Sequence, residues 1–381
     1  MASHTFQFPT LIQFGPGVRS EIGAHLRTQG LKRPLVVTDR GLAALPLLHG
    51  IVDGLRAAGL DAAVFSEVGG NPSKSQVRAG VEAFRAQSAD AIVGVGGGAG
   101  LDVAKAIALM ASHPGDLFDY EDGLAEPRKV DGPLPYWVAV PTTSGTGSEV
   151  GRSAVISDDQ THVKKIVFSP RLLARAVFAD PELTVDLPAK VTAATGMDAL
   201  THCIEAYLAK DYHPICDGIA LEGLRLGAPA LRKCVETPKD VRARADMMMS
   251  SMMGAIAFQK GLGLVHSLAH ALSTLADLHH GYANGLMIDH GLPFNVPTSS
   301  DRFKVMAQVV GLKHDSPQAF MDWVRDLKAR VGIPATLAEA GVPRQIDKLS
   351  DLALQDTCHL NNPRPCTRDD FRRIYTTAFG S

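Results

Sequence analysis

Residues 1–180 alternate short apolar runs with amphipathic stretches, and this alternation constrains the fold more than any other feature. The apolar runs are short, β-branched and end in Asp, Gly or Pro, which is typical of buried parallel strands. They lie at 34–39, 62–65, 91–95, 136–141 and 176–179. Between them, stretches such as Leu47–Ala58 and Lys74–Gln87 have helical spacing. Strand, helix, strand in repetition predicts an α/β domain with a parallel sheet.

The pattern changes after about residue 184, where helical periodicity replaces the strand signals. The helical stretches are 188–210, 215–235, 240–258, 262–277 and 301–331. A methionine-rich run at 247–253 favours a packed helix core over a soft-metal site. We therefore predict an α/β domain over 1–183 and an all-helical domain over 184–381, with the boundary near Asp180 and Pro181.

The bulk composition excludes several classes of protein. The 381 residues are 45% hydrophobic and 20% charged, which fits a globular chain with two cores. A net charge of −2 argues against nucleic acid or an anionic membrane as the main partner. No apolar stretch reaches the roughly 18 residues of a membrane span, and Met1–Pro9 lacks the pattern of a secretory leader. Five scattered cysteines indicate free thiols and a cytoplasmic protein.

A glycine turn follows the third predicted strand, in the sequence Gly94-Val95-Gly96-Gly97-Gly98-Ala99. Backbone N–H groups at such a turn can hold a pyrophosphate at the start of the next helix. The dinucleotide pattern is loose, and a tight turn without a ligand is the alternative. In the usual dinucleotide unit an acidic residue follows the glycines by about 20 positions. Here Asp39 precedes them, so we expect a different topology, in which Asp39 accepts from a ribose 2′-OH and favours NAD over NADP.

A second loop rich in hydroxyl groups and glycine, Pro141–Val150, directly follows the next strand. Its side chains and backbone offer donors to phosphate or ribose oxygens. The alternative is a capped turn in which Ser144 or Thr146 is the N-cap of the following segment.

Four residues of the helical half suggest a metal site. Asp198 and His202 are four apart and share a helix face, while His266 and His280 lie further along the chain. Three imidazoles and one carboxylate suit Fe²⁺ or Zn²⁺. The alternative is that each histidine is a hydrogen-bonded core residue. His270 lies one turn beyond His266, where it could relay a proton, and a supporting or core role is equally open.

These residues together carry a resemblance to a known family. The motifs that carry it span nearly the whole chain: Phe14-Gly15-Pro16-Gly17, Gly96-Gly97-Gly98 with Asp102 and Lys105, Pro141–Glu149, Asp180-Pro181, Gly196–His202, Gly263–His270, His280-Gly281 and Asn362-Pro363-Arg364. The chain resembles the iron-containing alcohol dehydrogenases, a branch of the dehydroquinate-synthase-like superfamily.

The resemblance implies an α/β N-terminal nucleotide-binding domain, an all-α C-terminal domain and a site in the cleft between them. It implies the metal ligands Asp198, His202, His266 and His280. Positions that match the family's NAD(H) contacts are Asp39, Asn71, Gly97, Gly98, Asp102, Thr142, Thr143, Gly151, Lys164 and Leu183. It also implies a homodimer or larger oligomer, in which the strand around Phe6–Phe14 would help to pair subunits.

Three departures from the family pattern bear on ligands. Ala99 replaces the serine that usually continues the glycine turn, which removes one hydroxyl donor. Lys260, Arg152 and Ser153 fall where the family shapes its substrate pocket. Two cations there could hold an anionic tail, as in 4-hydroxybutyrate or a sulfo-aldehyde. The alternative is that both face solvent or pair with nearby carboxylates.

The resulting prediction is a metal-dependent, NAD(H)-linked dehydrogenase that interconverts a small primary alcohol and its aldehyde. His270 is the candidate for moving the proton. Two other classes stay open: a non-redox lyase of the dehydroquinate synthase type, which needs a Lys and Arg cluster around a phosphate, and a non-catalytic binding protein.

Overall fold

The structure, a computed structural model, describes residues 10–161 and 163–380, and these form two compact units. The α/β unit comprises residues 10–143 and 148–184, and the helical unit comprises 144–147 and 185–380. Among the described residues, no helix is both long and apolar enough to cross a bilayer.

The α/β unit is built on a six-stranded sheet in which every neighbouring pair of strands is parallel. The spatial order of its strands is β1-β8-β5-β4-β2-β3. Their bounds are β1 Leu11–Phe14, β2 Pro34–Asp39, β3 Ala63–Val68, β4 Ala91–Gly96, β5 Tyr136–Pro141 and β8 Ala176–Ala179. All residues of β4 and β8 are buried, because helices and loops cover both faces of a parallel sheet. The five predicted strands are confirmed, the second beginning one residue later and extending further than expected.

The helices of this unit are α1 Ile22–Thr28, α2 Arg40–Ala43, α3 Pro46–Ala57, α4 Lys74–Ala86 and α5 Gly98–Ser112. The sequence pattern missed an antiparallel hairpin of β6 Ser153–Ser157 and β7 Lys164–Phe168. Both strands are partly exposed; serines lie at both ends of β6 and two lysines begin β7, so neither forms the continuous apolar run by which the other strands were recognised.

The helical unit contains nine α-helices among its described residues. They are α6 Ala189–Leu208, α7 Pro214–Glu236, α8 Val241–Ala257, α9 Leu264–Ala276, α10 His280–Gly291, α11 Val296–Val309, α12 Pro317–Arg330, α13 Ile346–Gln355 and α14 Arg368–Ala378. The expected single stretch at 301–331 is wrong, because Gly311 has a left-handed φ of 78° and Ser316 caps a new helix. Helix α6 is buried at 17 successive positions, Thr192–Leu208, and so forms the centre of the unit.

Candidate metal centre and nucleotide site

The four predicted ligands lie together in the helical unit. Helix α6 provides Asp198 and His202 from successive turns, α9 provides His266, and His280 is the first residue of α10. Their ligand atoms all lie within 4.8 Å of one another. Asp198 Oδ1 is 3.3 Å from His280 Nε2, 3.8 Å from His202 Nε2 and 3.9 Å from His266 Nε2.

The donor set fits a divalent ion. Burial lowers the pKa of His202 to about 3 and that of His266 well below its ordinary value, so both rings are neutral and keep a free lone pair. The Nε2 atom of His266 is buried and has no hydrogen-bond partner within the described chain. A buried polar atom without a partner is costly, and a metal bond would satisfy it. Three imidazoles around one carboxylate suit Fe²⁺ or Zn²⁺.

Two buried side chains that the sequence reasoning missed hold the ligands in place. Glu205 Oε2 is 2.6 Å from His266 Nδ1, and Glu205 also accepts from the backbone N–H groups of Val265 and His266. Asn284 Nδ2 donates to Asp198 Oδ1 at 2.8 Å. The sequence spacing could have revealed Glu205, because it follows Asp198 by seven residues and so lies on the same helix face.

Gly281 explains how α10 approaches α6 closely enough for His280 to reach Asp198. A Cβ atom at position 281 would lie 2.4 Å from the carbonyl oxygen of Ala194 and 3.0 Å from Asp198 Cβ. Any side chain here would push the two helices apart, so the glycine directly after His280 is a packing requirement of the site.

His270 borders the four ligands. Its ring stacks on that of His280 with the centroids 5.0 Å apart. Its Nδ1 atom is 2.7 Å from Asp356 Oδ2, and its side chain is 36% exposed. A partly exposed imidazole held by a carboxylate beside the ligands has the position that a proton relay requires. Asp356, 86 residues away in sequence, gave no local signal.

Several of the predicted nucleotide residues lie at the carboxyl edge of the sheet. Chain order reverses between β2 and β4, which are adjacent strands, and such a switch point is where open α/β sheets bind ligands. Asp39 ends β2, and the Gly97-Gly98 turn follows β4 and begins α5. Thr142 follows the neighbouring β5, and its N–H donates to the Gly96 carbonyl at 3.0 Å.

Gly97 is packed tightly against this edge. A Cβ atom there would lie 3.1 Å from Thr143 Oγ1, so a side chain would press on the next loop. Asp39 accepts from the N–H of Leu42 at 2.9 Å and thereby caps α2. That bond uses Oδ1, and Oδ2 lies 3.8 Å from the position that a Cβ atom on Gly96 would have.

The remaining predicted cofactor residues fall in the same unit. Asn71 is exposed after β3, Lys164 begins β7, Gly151 lies just before β6, and Leu183 is buried after β8. Their contacts with a dinucleotide stay predictions.

Asp102 has a structural role in the α/β unit. Its Oδ1 accepts from Ser148 Oγ at 2.6 Å and from Lys105 Nζ at 3.2 Å, and its Oδ2 accepts from the N–H of Val155 at 3.0 Å. Lys105 Nζ also donates to the carbonyl of Ser153 at 2.7 Å. This network fixes α5, and with it the glycine turn, to the hairpin. Direct contact of Asp102 with a cofactor stays a prediction.

The centre of the hydroxyl-rich loop makes packing contacts within the helical unit. Residues 144–147 pack within the helical unit, where the Gly145 carbonyl accepts from Ser251 Oγ at 3.1 Å. Gly147 has a φ of 63°, and a Cβ atom there would lie 2.2 Å from that of Ala255. Gly147 thus permits close packing against α8, and a Cβ atom at Gly145 would lie 2.8 Å from that of Thr195 on α6. Contacts of this loop with phosphate or ribose oxygens stay predictions.

The two predicted substrate cations differ in their contacts. The Lys260 ammonium is buried, pairs with Asp217 and donates to the Tyr207 carbonyl at 3.0 Å. Lys260 therefore follows the alternative in which the cation pairs with a nearby carboxylate. The Arg152 guanidinium lies over the ring of Phe168, 5.5 Å from its centroid. Ser153 starts β6, and no contact described here assigns its hydroxyl to a substrate.

Two family models match the chain. The model described as iron-containing alcohol dehydrogenase matches residues 9–181, and the model for the C-terminal part of the Fe-containing alcohol dehydrogenase family matches 192–379. The chain belongs to the iron-containing alcohol dehydrogenases. It is therefore an NAD-dependent alcohol dehydrogenase with an α/β and a helical part. This family membership favours a dehydrogenase over the two alternatives, a non-redox lyase and a non-catalytic binding protein.

Individual relatives of this iron-containing alcohol dehydrogenase support the same family membership. A 4-hydroxybutyrate dehydrogenase from Cupriavidus necator is 41% identical, covering 96% of this chain and 97% of the relative. An NAD-dependent methanol dehydrogenase from Bacillus methanolicus is 36% identical, covering 98% of this chain and 99% of the relative. A crystal structure of 1,3-propanediol oxidoreductase superposes with a TM-score of 0.94 at 36% identity, covering 99% of this chain and 100% of the other.

Proposed function

We propose that this alcohol dehydrogenase interconverts a small primary alcohol and its aldehyde, with a divalent ion bound by Asp198, His202, His266 and His280 and with NAD(H) at the carboxyl edge of the sheet. The observation that supports the ion site most directly is the convergence of four buried or half-buried donors within 4.8 Å, one of them a partnerless imidazole nitrogen. Fe²⁺ and Zn²⁺ both suit this donor set.

The protein side chains have distinct roles in this proposal. When bound, the ion supplies Lewis-acid polarisation of the substrate oxygen, and the nicotinamide supplies the hydride chemistry. Glu205 holds the His266 ring so that Nε2 faces the other donors. His270, oriented by Asp356, moves the hydroxyl proton between the site and solvent. Asp39 accepts from a ribose 2′-OH and repels a 2′-phosphate, which selects NAD over NADP.

The decisive experiment is an aldehyde panel with NADH on the full-length protein, stripped of metal and reconstituted with Fe²⁺ or Zn²⁺. We expect NADH oxidation with small unbranched aldehydes only after reconstitution, and little with NADPH. The variant His266→Ala should lose both metal retention and turnover. Full turnover in a metal-free sample would refute the proposed site.

A second candidate substrate class is an anionic hydroxy acid such as 4-hydroxybutyrate. It is favoured by the 41% identical relative of that name and by the Arg152 cation before β6. Because Lys260 is paired with Asp217, Arg152 is the remaining candidate of the two cations for binding the anionic group. The test compares kcat/KM for succinic semialdehyde and butanal in Arg152→Ala, with Arg171→Ala, an exposed arginine of the same unit, as the control. If the ratio is unchanged in Arg152→Ala, the anion proposal is wrong.

We also propose a homodimer or larger oligomer and a cytoplasmic location. Strand β1 supports pairing, because it lies at the edge of the sheet and Leu11 is 52% exposed. The proposed pairing segment Phe6–Phe14 begins outside the described residues, at Phe6–Pro9. All five cysteines are free thiols, which supports a reducing compartment. Sedimentation of the purified protein would test the oligomer.

A further inference from the structure

A second group of potential metal ligands lies beside the first in the helical unit. His270 Nδ1 or Nε2, an Asp356 carboxylate oxygen and Cys358 Sγ all lie within 4.8 Å of one another. The imidazole comes from α9, and the other two groups come from a turn after α13. All three residues are half-buried, so they are shielded from bulk water yet accessible to an ion.

The carboxylate at the centre of this group is held in a fixed orientation. Asp356 Oδ1 accepts from Ser267 Oγ at 2.6 Å and from the N–H of Cys358 at 2.9 Å. Ser267 Oγ in turn accepts from the N–H of His359 at 2.9 Å. The other oxygen, Oδ2, faces His270 Nδ1 at 2.7 Å. Ligands held by hydrogen bonds from behind are typical of real metal sites.

The thiol faces the same carboxylate. Burial and the neighbouring Asp356 raise the pKa of the Cys358 thiol well above its ordinary value, so it is protonated at neutral pH. An ion that binds here must therefore displace that proton, as metal binding to thiols commonly does.

We propose that His270, Asp356 and Cys358 form a second metal site that binds Zn²⁺. One nitrogen, one oxygen and one sulfur are all ligands that Zn²⁺ accepts, and three protein ligands leave a fourth position open. Binding releases the Cys358 thiol proton to solvent and forms one bond from each side chain. The His270 ring keeps one proton, which lies on Nε2 when Nδ1 binds the ion. The thiolate distinguishes this site from the one at Asp198, whose ligands are oxygen and nitrogen only.

Occupancy of this site would separate His270 from its carboxylate partner. Zn²⁺ in excess would then inhibit turnover without displacing the first ion. This consequence rests on the proposed role of His270 in moving a proton, whereas the binding site itself does not.

The experiment titrates metal-stripped, full-length protein with Co²⁺ and then with Zn²⁺. We expect two ions per chain, and only one of them should produce the near-ultraviolet charge-transfer band of a cobalt–thiolate bond. Cys358→Ser should lose that band and bind one ion. Cys366→Ser, which removes another half-buried thiol of the same C-terminal region, should keep both.

Two further variants separate this proposal from the proposed function. His202→Ala should lose the ion that gives no thiolate band and keep the one that does. Asp356→Asn, which preserves shape, should weaken the thiolate-containing site at least about tenfold and serves as the test if Cys358→Ser does not fold. One ion per chain in the unaltered protein, or a thiolate band that persists in Cys358→Ser, would overturn the second site.

Discussion

Replacing Glu205 by Gln tests how the metal ligands are oriented. The carboxylate accepts three hydrogen bonds, from the N–H groups of Val265 and His266 and from His266 Nδ1. A glutamine keeps only one accepting oxygen. If that oxygen takes the Oε1 position and accepts from Val265, the NH₂ group faces the ring, and the ring must then accept at Nδ1. A neutral imidazole that accepts at Nδ1 carries its proton on Nε2, the atom that must bind the ion.

The expected loss follows from this change of tautomer. Removing such an outer partner weakens metal binding by about 10- to 100-fold, or about 1.4 to 2.8 kcal/mol. Chelator competition on the Fe²⁺- or Zn²⁺-loaded protein measures the dissociation constant directly. Glu222→Gln is the matched control, because Glu222 makes an exposed ion pair with Arg225 on α7. A Glu205→Gln protein that binds the ion within about twofold of wild type would refute the orientation argument.

Three other predictions concern packing and charge. Gly281→Ala should abolish metal retention in a folded protein, measured by metal content, because its Cβ would lie 2.4 Å from the Ala194 carbonyl oxygen. Lys105→Met should lower the free energy of unfolding by about 3–5 kcal/mol in urea titrations, because it leaves the largely buried Asp102 carboxylate without its cation. Burial raises the pKa of Glu149 from 4.5 to about 7, so its contribution to stability is complete below pH 4.5 and is lost as pH rises through 7. Glu149→Gln should therefore lose less stability between pH 5 and 8 than wild type does, and equal losses would contradict the shift.

The local parts of the fold were predictable and the non-local parts were not. The buried strands are continuous apolar runs such as Ala91–Gly96, so composition alone located them. The hairpin of Ser153–Ser157 and Lys164–Phe168 was missed, because both strands are partly exposed and polar or charged residues interrupt their apolar runs. The break between α11 and α12 did leave a signal in Gly311 and in the Ser316-Pro317 cap, which the periodicity of the flanking residues obscured.

Among the proposed metal-site residues, too, local relations could be predicted from the sequence and non-local ones could not. Asp198 and His202 share one helix, so their spacing revealed a common face. The relation of His266 to His280 depends on how α9 and α10 pack, and the motif resemblance supplied what spacing could not. Asp356 reaches His270 only through the tertiary fold, and nothing near it in the chain indicates that contact. The pairing of Lys260 with Asp217 across 43 residues was hidden for the same reason.

The proposed ligands come from three separate helices, α6, α9 and α10, so an ion bound by them would link the stability of this unit to the supply of metal. An ion that binds only the assembled helices adds about 2.7 kcal/mol of stability when its free concentration is 100 times the dissociation constant, and nothing when it is scarce. A shortage of the proposed ion would thus lower the stability of the helical unit together with its activity.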